Sequence, residues 1–256
     1  MDTLANANAN ANANAYVRAP ARAAALRMFC FHHAGGGASL YRGWQRAVGP
    51  HVAVCPVLLP GREGRAAEPR FTELDALVAD LDAELGGLLA EPHVFFGHSM
   101  GALIAYRLAC HRRARGESLP RALLLSSYPA PHLAAPMPAV DERDDDALIG
   151  LLTGTGGLAP ELLDWPGGVT ELLAVTRDDL RLCAGHRDLG EAPLPCPIHV
   201  FGSDADALVG EQDLRAWDRH APSPVELRVL SGDHFYIRDD PAPLLGHVRS
   251  LLRRYL

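Results

Sequence analysis

The chain has 256 residues, 48% of them hydrophobic and 21% charged, a length compatible with one α/β domain or two small ones and enough apolar material for a sizeable core. Its formal net charge of −7 argues against a nucleic-acid partner, which needs a basic surface. No apolar run approaches a membrane span, and the start lacks the basic and apolar regions of a secretory signal.

Five cysteines, without C-x-x-C or metal-ligand spacing, suit a reducing cytoplasm. The twelve histidines are equally poor in metal signatures, so neither a metal nor a cofactor is expected. Nothing in the pattern demands more than a monomer.

Residues 1–23 open with a strict Ala-Asn alternation from Ala5 to Ala15, low in apolar surface, and predict a disordered tail. The folded domain is expected over 24–256. "LRMFCF" (26–31) is its first apolar run, followed by "FHHAGGGAS" (31–39). Three glycines there let the backbone approach a ligand closely. A phosphate loop is the competing reading, but the Walker Gly-Lys-Ser/Thr ending and G-x-G-x-x-G are both missing.

"HVAVCPVLLPG" (51–61) is a second strand candidate. Residues 72–90 place Leu74, Leu77, Val78, Leu81, Leu85, Leu88 and Leu89 on one helical stripe, with Thr72 as the expected N-cap. "VFF" (94–96) then runs straight into Gly97-His98-Ser99-Met100-Gly101 and a helix over 100–113. Strand, sharp turn and helix are the context a nucleophile elbow requires, with Gly97 and Gly101 leaving space beside the serine. That context, more than the five-residue pattern, makes Ser99 a candidate nucleophile.

"ALLLSS" (122–127), "IHVFG" (198–202) and "VELRVL" (225–230) complete the strand candidates, and a helix over 241–255 closes the chain. Continuous apolar runs predict strands covered on both faces, and their alternation with helices predicts a doubly wound, mostly parallel α/β sheet. Residues 130–187 offer no strand, only Pro-rich turns and two or three short helices. They read as a lid inserted over the site, the alternative being ordinary crossover helices.

A serine nucleophile needs a base and a carboxylate, in the order Ser, Asp/Glu, His for this fold. His234 leaves the last strand in "SGDHFYI" and fits the base, whereas His98, His199 and His220 do not sit where one is needed. After "IHVFG" both Asp204 and Asp206 are available. Asp206, with Val209 three places on, suits the orienting role better, while Asp204 suits the turn. Asp233 reads as a cap of its own loop. The backbone N–H groups of Ala34 and Met100 are candidate oxyanion donors.

Together these segments resemble the type II thioesterases that accompany polyketide synthases and nonribosomal peptide synthetases. The resemblance rests on "FCFHHAGGGASLYRGW", "LLPGREGR", "GHSMGALIAYRLA" and "SGDHFYI", and covers nearly everything after the tail. It implies an α/β-hydrolase fold with a helical lid, Ser99, Asp206 and His234 as the triad, and Ala34 and Met100 as oxyanion donors. It also implies acyl or peptidyl carrier proteins as partners, the phosphopantetheine arm belonging to the substrate, and an editing role in which stalled acyl units are removed.

Two features depart from the family pattern. His32 stands where the family has proline, which bears on the loop's rigidity or brings a titrating ring to the mouth. The lid's "DWPGG" and "VTRDDL" bear on substrate preference. Carrier docking needs a local basic patch, for which "CHRRARG" with Arg112 and Arg113 is one candidate and Arg62 with Arg65 another. Solvated arginines at a helix end are the plain alternative. The rival functions are an esterase or acyltransferase on free small molecules, and a non-catalytic hydrolase-fold scaffold.

Overall fold

The computed structural model describes residues 14–17, 24–137, 144–158 and 166–256. Each apolar run becomes a strand: β1 (Leu26–Phe31), β2 (Val52–Pro56), β3 (His93–His98), β4 (Leu123–Ser126), β5 (Ile198–Ser203) and β6 (Glu226–Leu230). They form one parallel sheet in the order β2-β1-β3-β4-β5-β6. The chain leaves β1 toward β2 on one side and returns to β3 on the other. The loops after β1 and β3 therefore part at a topological switch point, the crevice where open α/β sheets bind ligands.

Eight α-helices lie among the described residues: α1 (Trp44–Val48), α2 (Leu74–Leu89), α3 (Met100–Ala114), α4 (Asp145–Gly154), α5 (Pro166–Ala184), α6 (Glu211–Arg215), α7 (Tyr236–Asp239) and α8 (Ala242–Leu252). Successive strand residues face opposite layers. Phe95 joins a core with Leu77, Leu81 and Leu103 of α2 and α3, while its neighbour Phe96 packs with Trp44, Leu244 and Val248 of α1 and α8. The sheet is thus covered on both sides, as the unbroken apolar runs predict. No helix among the described residues is long and apolar enough to cross a membrane.

Three expectations need correction. β6 is not covered on both faces: it is an edge strand, and Glu226, Arg228 and Val229 are exposed. The α2 cap is Glu73, held extended and without a side-chain bond, rather than Thr72. The disordered-tail reading fails at residues 14–17, where Tyr16 and Val17 are each 1% exposed in the core. The Leu58 N–H donates to the Tyr16 carbonyl at 2.8 Å, and the Tyr16 hydroxyl meets Asp80. The rest of the tail, 1–13 and 18–23, lies outside the described residues.

The segment between β4 and β5 contains no strand among its described residues. It carries α4, capped by the Asp144 carboxylate accepting from the Ala147 N–H at 2.8 Å, and the 19-residue α5, longer than the short helices expected. Leu148, Leu152, Leu158, Leu173 and Leu180 form a small core of their own between the two helices.

Candidate active site

The turn after β3 is built by close approach. A Cβ at Gly97 would stand 2.2 Å from the Gly101 carbonyl oxygen, and one at Gly101 would stand 2.0 Å from that of Phe31. Only glycine lets α3 begin hard against the end of β1. Between them Ser99 takes φ +53°, ψ −124°, a conformation L-residues rarely adopt and one that costs about 1–3 kcal/mol. Its N–H donates to the Ser126 carbonyl at 2.8 Å, so the neighbouring strand end holds the strained residue in place.

His234 and Asp206 meet this serine from the loops after β6 and β5. His234 Nε2 lies 3.0 Å from Ser99 Oγ, and His234 Nδ1 lies 2.9 Å from Asp206 Oδ2. The other carboxylate oxygen of Asp206 accepts the N–H groups of Leu208 at 2.9 Å and Val209 at 3.2 Å. This is the physical content of an acid followed three places on by an apolar residue. Burial would raise the Asp206 carboxyl, yet the bond to His234 and the Leu208 amide hold it below the usual carboxylate range. It stays an anion, and an anion beside Nδ1 fixes the imidazole proton there, leaving Nε2 free to accept from Ser99.

The two other aspartates serve their loops. Asp204 accepts the Gly232 N–H at 3.0 Å, and Asp233 accepts the Phe235 N–H at 2.7 Å. Ala34 follows the end of β1 in the glycine loop that Gly101 abuts, and Met100 is the first residue of α3, where an N–H has no partner within the helix.

His98, set aside by sequence reasoning, is part of the site's support. It is buried, its Nδ1 lies 2.8 Å from Ser126 Oγ, and Ser126 Oγ lies 2.7 Å from the Tyr236 hydroxyl. Its ring stands 5.3 Å from that of His234. Burial holds His98 well below the ordinary histidine range, with the neighbouring His234 adding to the effect. A neutral imidazole there packs against His234 without competing for its proton. His32 behaves likewise: it is buried, its Nδ1 is 2.9 Å from the His33 carbonyl, and burial holds it uncharged. It binds its own loop and brings no titrating ring to the mouth.

A cavity of about 710 Å³ lies between the glycine loop and α5. Its inner wall includes His33, Ala34 and Phe235, neighbours of the candidate oxyanion loop and of His234, and its outer wall Leu152, Leu172 and Val175 from α4 and α5. These apolar side chains share the lining with Arg62, Glu63, Glu171 and Arg238. No side-chain cluster able to hold a metal ion occurs among the described residues.

The arginines proposed for docking are largely occupied. Arg112 is 2% exposed, its guanidinium bound to Asp82 and donating to the Ser118 carbonyl at 2.8 Å. A buried, paired charge offers nothing to a partner. Arg113 donates to the Ala192 and Pro193 carbonyls, tying α3 to the segment before β5. Arg62 is buried in an ion pair with Asp179, and Arg65 binds Glu68 and stacks over Tyr16.

The model of a family described as "Thioesterase domain" matches residues 26–252. The chain belongs to the thioesterase family. Linear gramicidin dehydrogenase LgrE of Brevibacillus parabrevis is 34% identical over 236 residues, 91% of this chain and 90% of that protein. Among solved structures, RedJ, the thioesterase of the prodiginine pathway in Streptomyces coelicolor, superposes with TM-score 0.84 at 36% identity, over 91% of this chain and 95% of that one. BorB, a type II thioesterase from the borrelidin biosynthetic cluster, does so with TM-score 0.82 at 32% identity, over 93% and 98%. This thioesterase therefore has the α/β-hydrolase fold and close homologues that serve such biosynthetic pathways.

Proposed function

We propose that this thioesterase edits modular synthases, hydrolysing aberrant or stalled acyl groups from the phosphopantetheine arm of acyl or peptidyl carrier proteins. The observation that carries the reading is the unbroken Ser99–His234–Asp206 relay, with a strained serine at the switch point of the sheet. The thioesterase relatives supply the substrate bond.

In the proposed cycle Ser99 Oγ attacks the thioester carbonyl as His234 Nε2 takes its proton, and Asp206 stabilises the imidazolium. The N–H groups of Ala34 and Met100 receive the oxyanion. The tetrahedral species collapses, the pantetheine thiol leaves with the proton from His234, and water activated by the same imidazole releases the acid from Ser99. Side chains, backbone amides and water suffice for every step. The segment over 130–187 acts as a lid, its helices walling the acyl cavity.

Hydrolysis of a panel of short acyl-phosphopantetheinyl carriers, beside the matching N-acetylcysteamine thioesters and simple oxygen esters, tests the reading. Higher kcat/KM on the carriers across several acyl groups is the expected result. Equal or better turnover of free thioesters and esters would move the protein to the small-molecule esterases and leave Ser99 as nucleophile.

A further inference from the structure

The glycine loop is held by two groups that the relay does not use. Asp179, on α5 and 1% exposed, accepts the Gly35 N–H on Oδ2 at 2.8 Å. The same carboxylate takes both ends of the Arg62 guanidinium, Nη1 at 2.7 Å and Nη2 at 2.8 Å. Arg62 Nη1 also donates to the Gly36 carbonyl at 3.1 Å. One buried ion pair thus grips the loop at two consecutive residues, by a donor of the first and an acceptor of the second.

α5 also touches the loop directly. Gly35 has φ +74°, and a Cβ there would stand 2.4 Å from Thr176 Oγ1. The Gly35 N–H shares a peptide plane with the Ala34 carbonyl, and the Ala34 N–H lies in the preceding plane with the His33 carbonyl. That carbonyl accepts the Gly36 N–H at 3.0 Å, closing a turn over Ala34 and Gly35 whose far side Asp179 and Arg62 hold at the Gly35 N–H and the Gly36 carbonyl. The Ala34 carbonyl, in the plane of the Gly35 N–H, lies 2.9 Å from His33 Nδ1, and the His33 carbonyl, in the plane of the Ala34 N–H, lies 2.9 Å from His32 Nδ1.

We propose that Asp179 and Arg62 are positioning residues that aim the Ala34 N–H at the oxyanion, so that the oxyanion site is complete only while α5 is docked on the glycine loop. The proposal rests on the reading of Ser99 as nucleophile. Sequence separation hides the pair, since the partners are 117 residues apart. A purely structural ion pair in the same place would set stability and leave the reaction rate per folded molecule alone.

The test is the rate at which a fluorophosphonate labels Ser99, with kcat and KM on a small thioester measured alongside. Such labelling needs the nucleophile and the oxyanion donors but no particular acyl group. Asp179→Asn keeps an acceptor for Gly35 and loses the charge facing Arg62. The paired R62M/D179L replaces both charges by apolar groups, which buried ion pairs tolerate, and keeps the test alive if the single variant does not fold. In the variants that fold, labelling and kcat are expected to fall about 10–100-fold, with KM within about twofold. Wild-type labelling in a folded variant overturns the positioning role while leaving Ser99 in place. Failure of the unaltered protein to label at Ser99 overturns both that role and the reading beneath it.

Discussion

The sheet end that carries Ser99 and the helical segment between β4 and β5 are anchored in different ways. Around Ser99, the loops after β3, β5 and β6 leave the same end of one parallel sheet, with β4 between the first two, and backbone bonds such as Ser99 N–H to the Ser126 carbonyl at the end of β4 hold them in place. The helices α4 and α5 share a small leucine core and reach the glycine loop through side chains, chiefly Asp179 and Thr176. The first arrangement gives the rigid geometry that bond-making requires. The second gives a wall that can change its lining, or its docking, without rebuilding the sheet.

The largest effects are expected where the rigid region is cut. His234→Ala removes the proposed base and should lower kcat by about 10³–10⁶-fold with the fold intact, read by steady-state kinetics and circular dichroism. Asp206→Asn keeps the shape and loses the anion that holds the imidazole tautomer, so kcat should fall by about 10⁴-fold with little change in KM. Activity within tenfold of wild type in either variant would break the contrast between the two regions.

Arg112→Ala separates scaffold from surface. It leaves Asp82 in a buried position without its main partner, which should cost about 3–5 kcal/mol in urea unfolding. The KM for carrier substrates should stay unchanged, because the guanidinium is already covered. A raised carrier KM with unchanged stability would restore Arg112 to the docking surface.

Smaller effects should come from the wall. Val175→Phe narrows the cavity and should shift preference toward shorter acyl groups by roughly 10-fold, leaving acetyl turnover nearly unaltered. The smallest concerns acid. His93, at the start of β3 and far from the relay, is pushed down to about 4 by burial, and His33 to about 4 as well. Between pH 6.5 and 4 the unfolded chain binds protons that these folded residues do not, so stability should fall as pH drops through that window. His93→Gln should flatten the slope of the urea midpoint against pH.

Most of the sheet could be read from sequence because each strand is a contiguous apolar run, and Ser99 because its two glycines answer a local steric demand. Asp206 and His234 follow from their place after strands, a feature of chain order. What escaped was set by distance or by charge. Tyr16 and Val17 sit next to an alternating polar tract and are buried by contacts with residues far along the chain. Arg62 and Arg112 look like surface groups until Asp179 and Asp82 appear beside them, and "VTRDDL" carries no local mark that its second aspartate reaches the glycine loop. His98 escaped because its role is fixed by Ser126 and Tyr236 on other elements.

The central claim, that Ser99 carries thioester cleavage through this relay, is tested most directly by kcat/KM of Ser99→Ala on a short acyl-phosphopantetheinyl carrier. The account predicts a loss of at least about 10³-fold in a protein whose unfolding midpoint matches wild type. Hydrolysis within tenfold of wild type would contradict it.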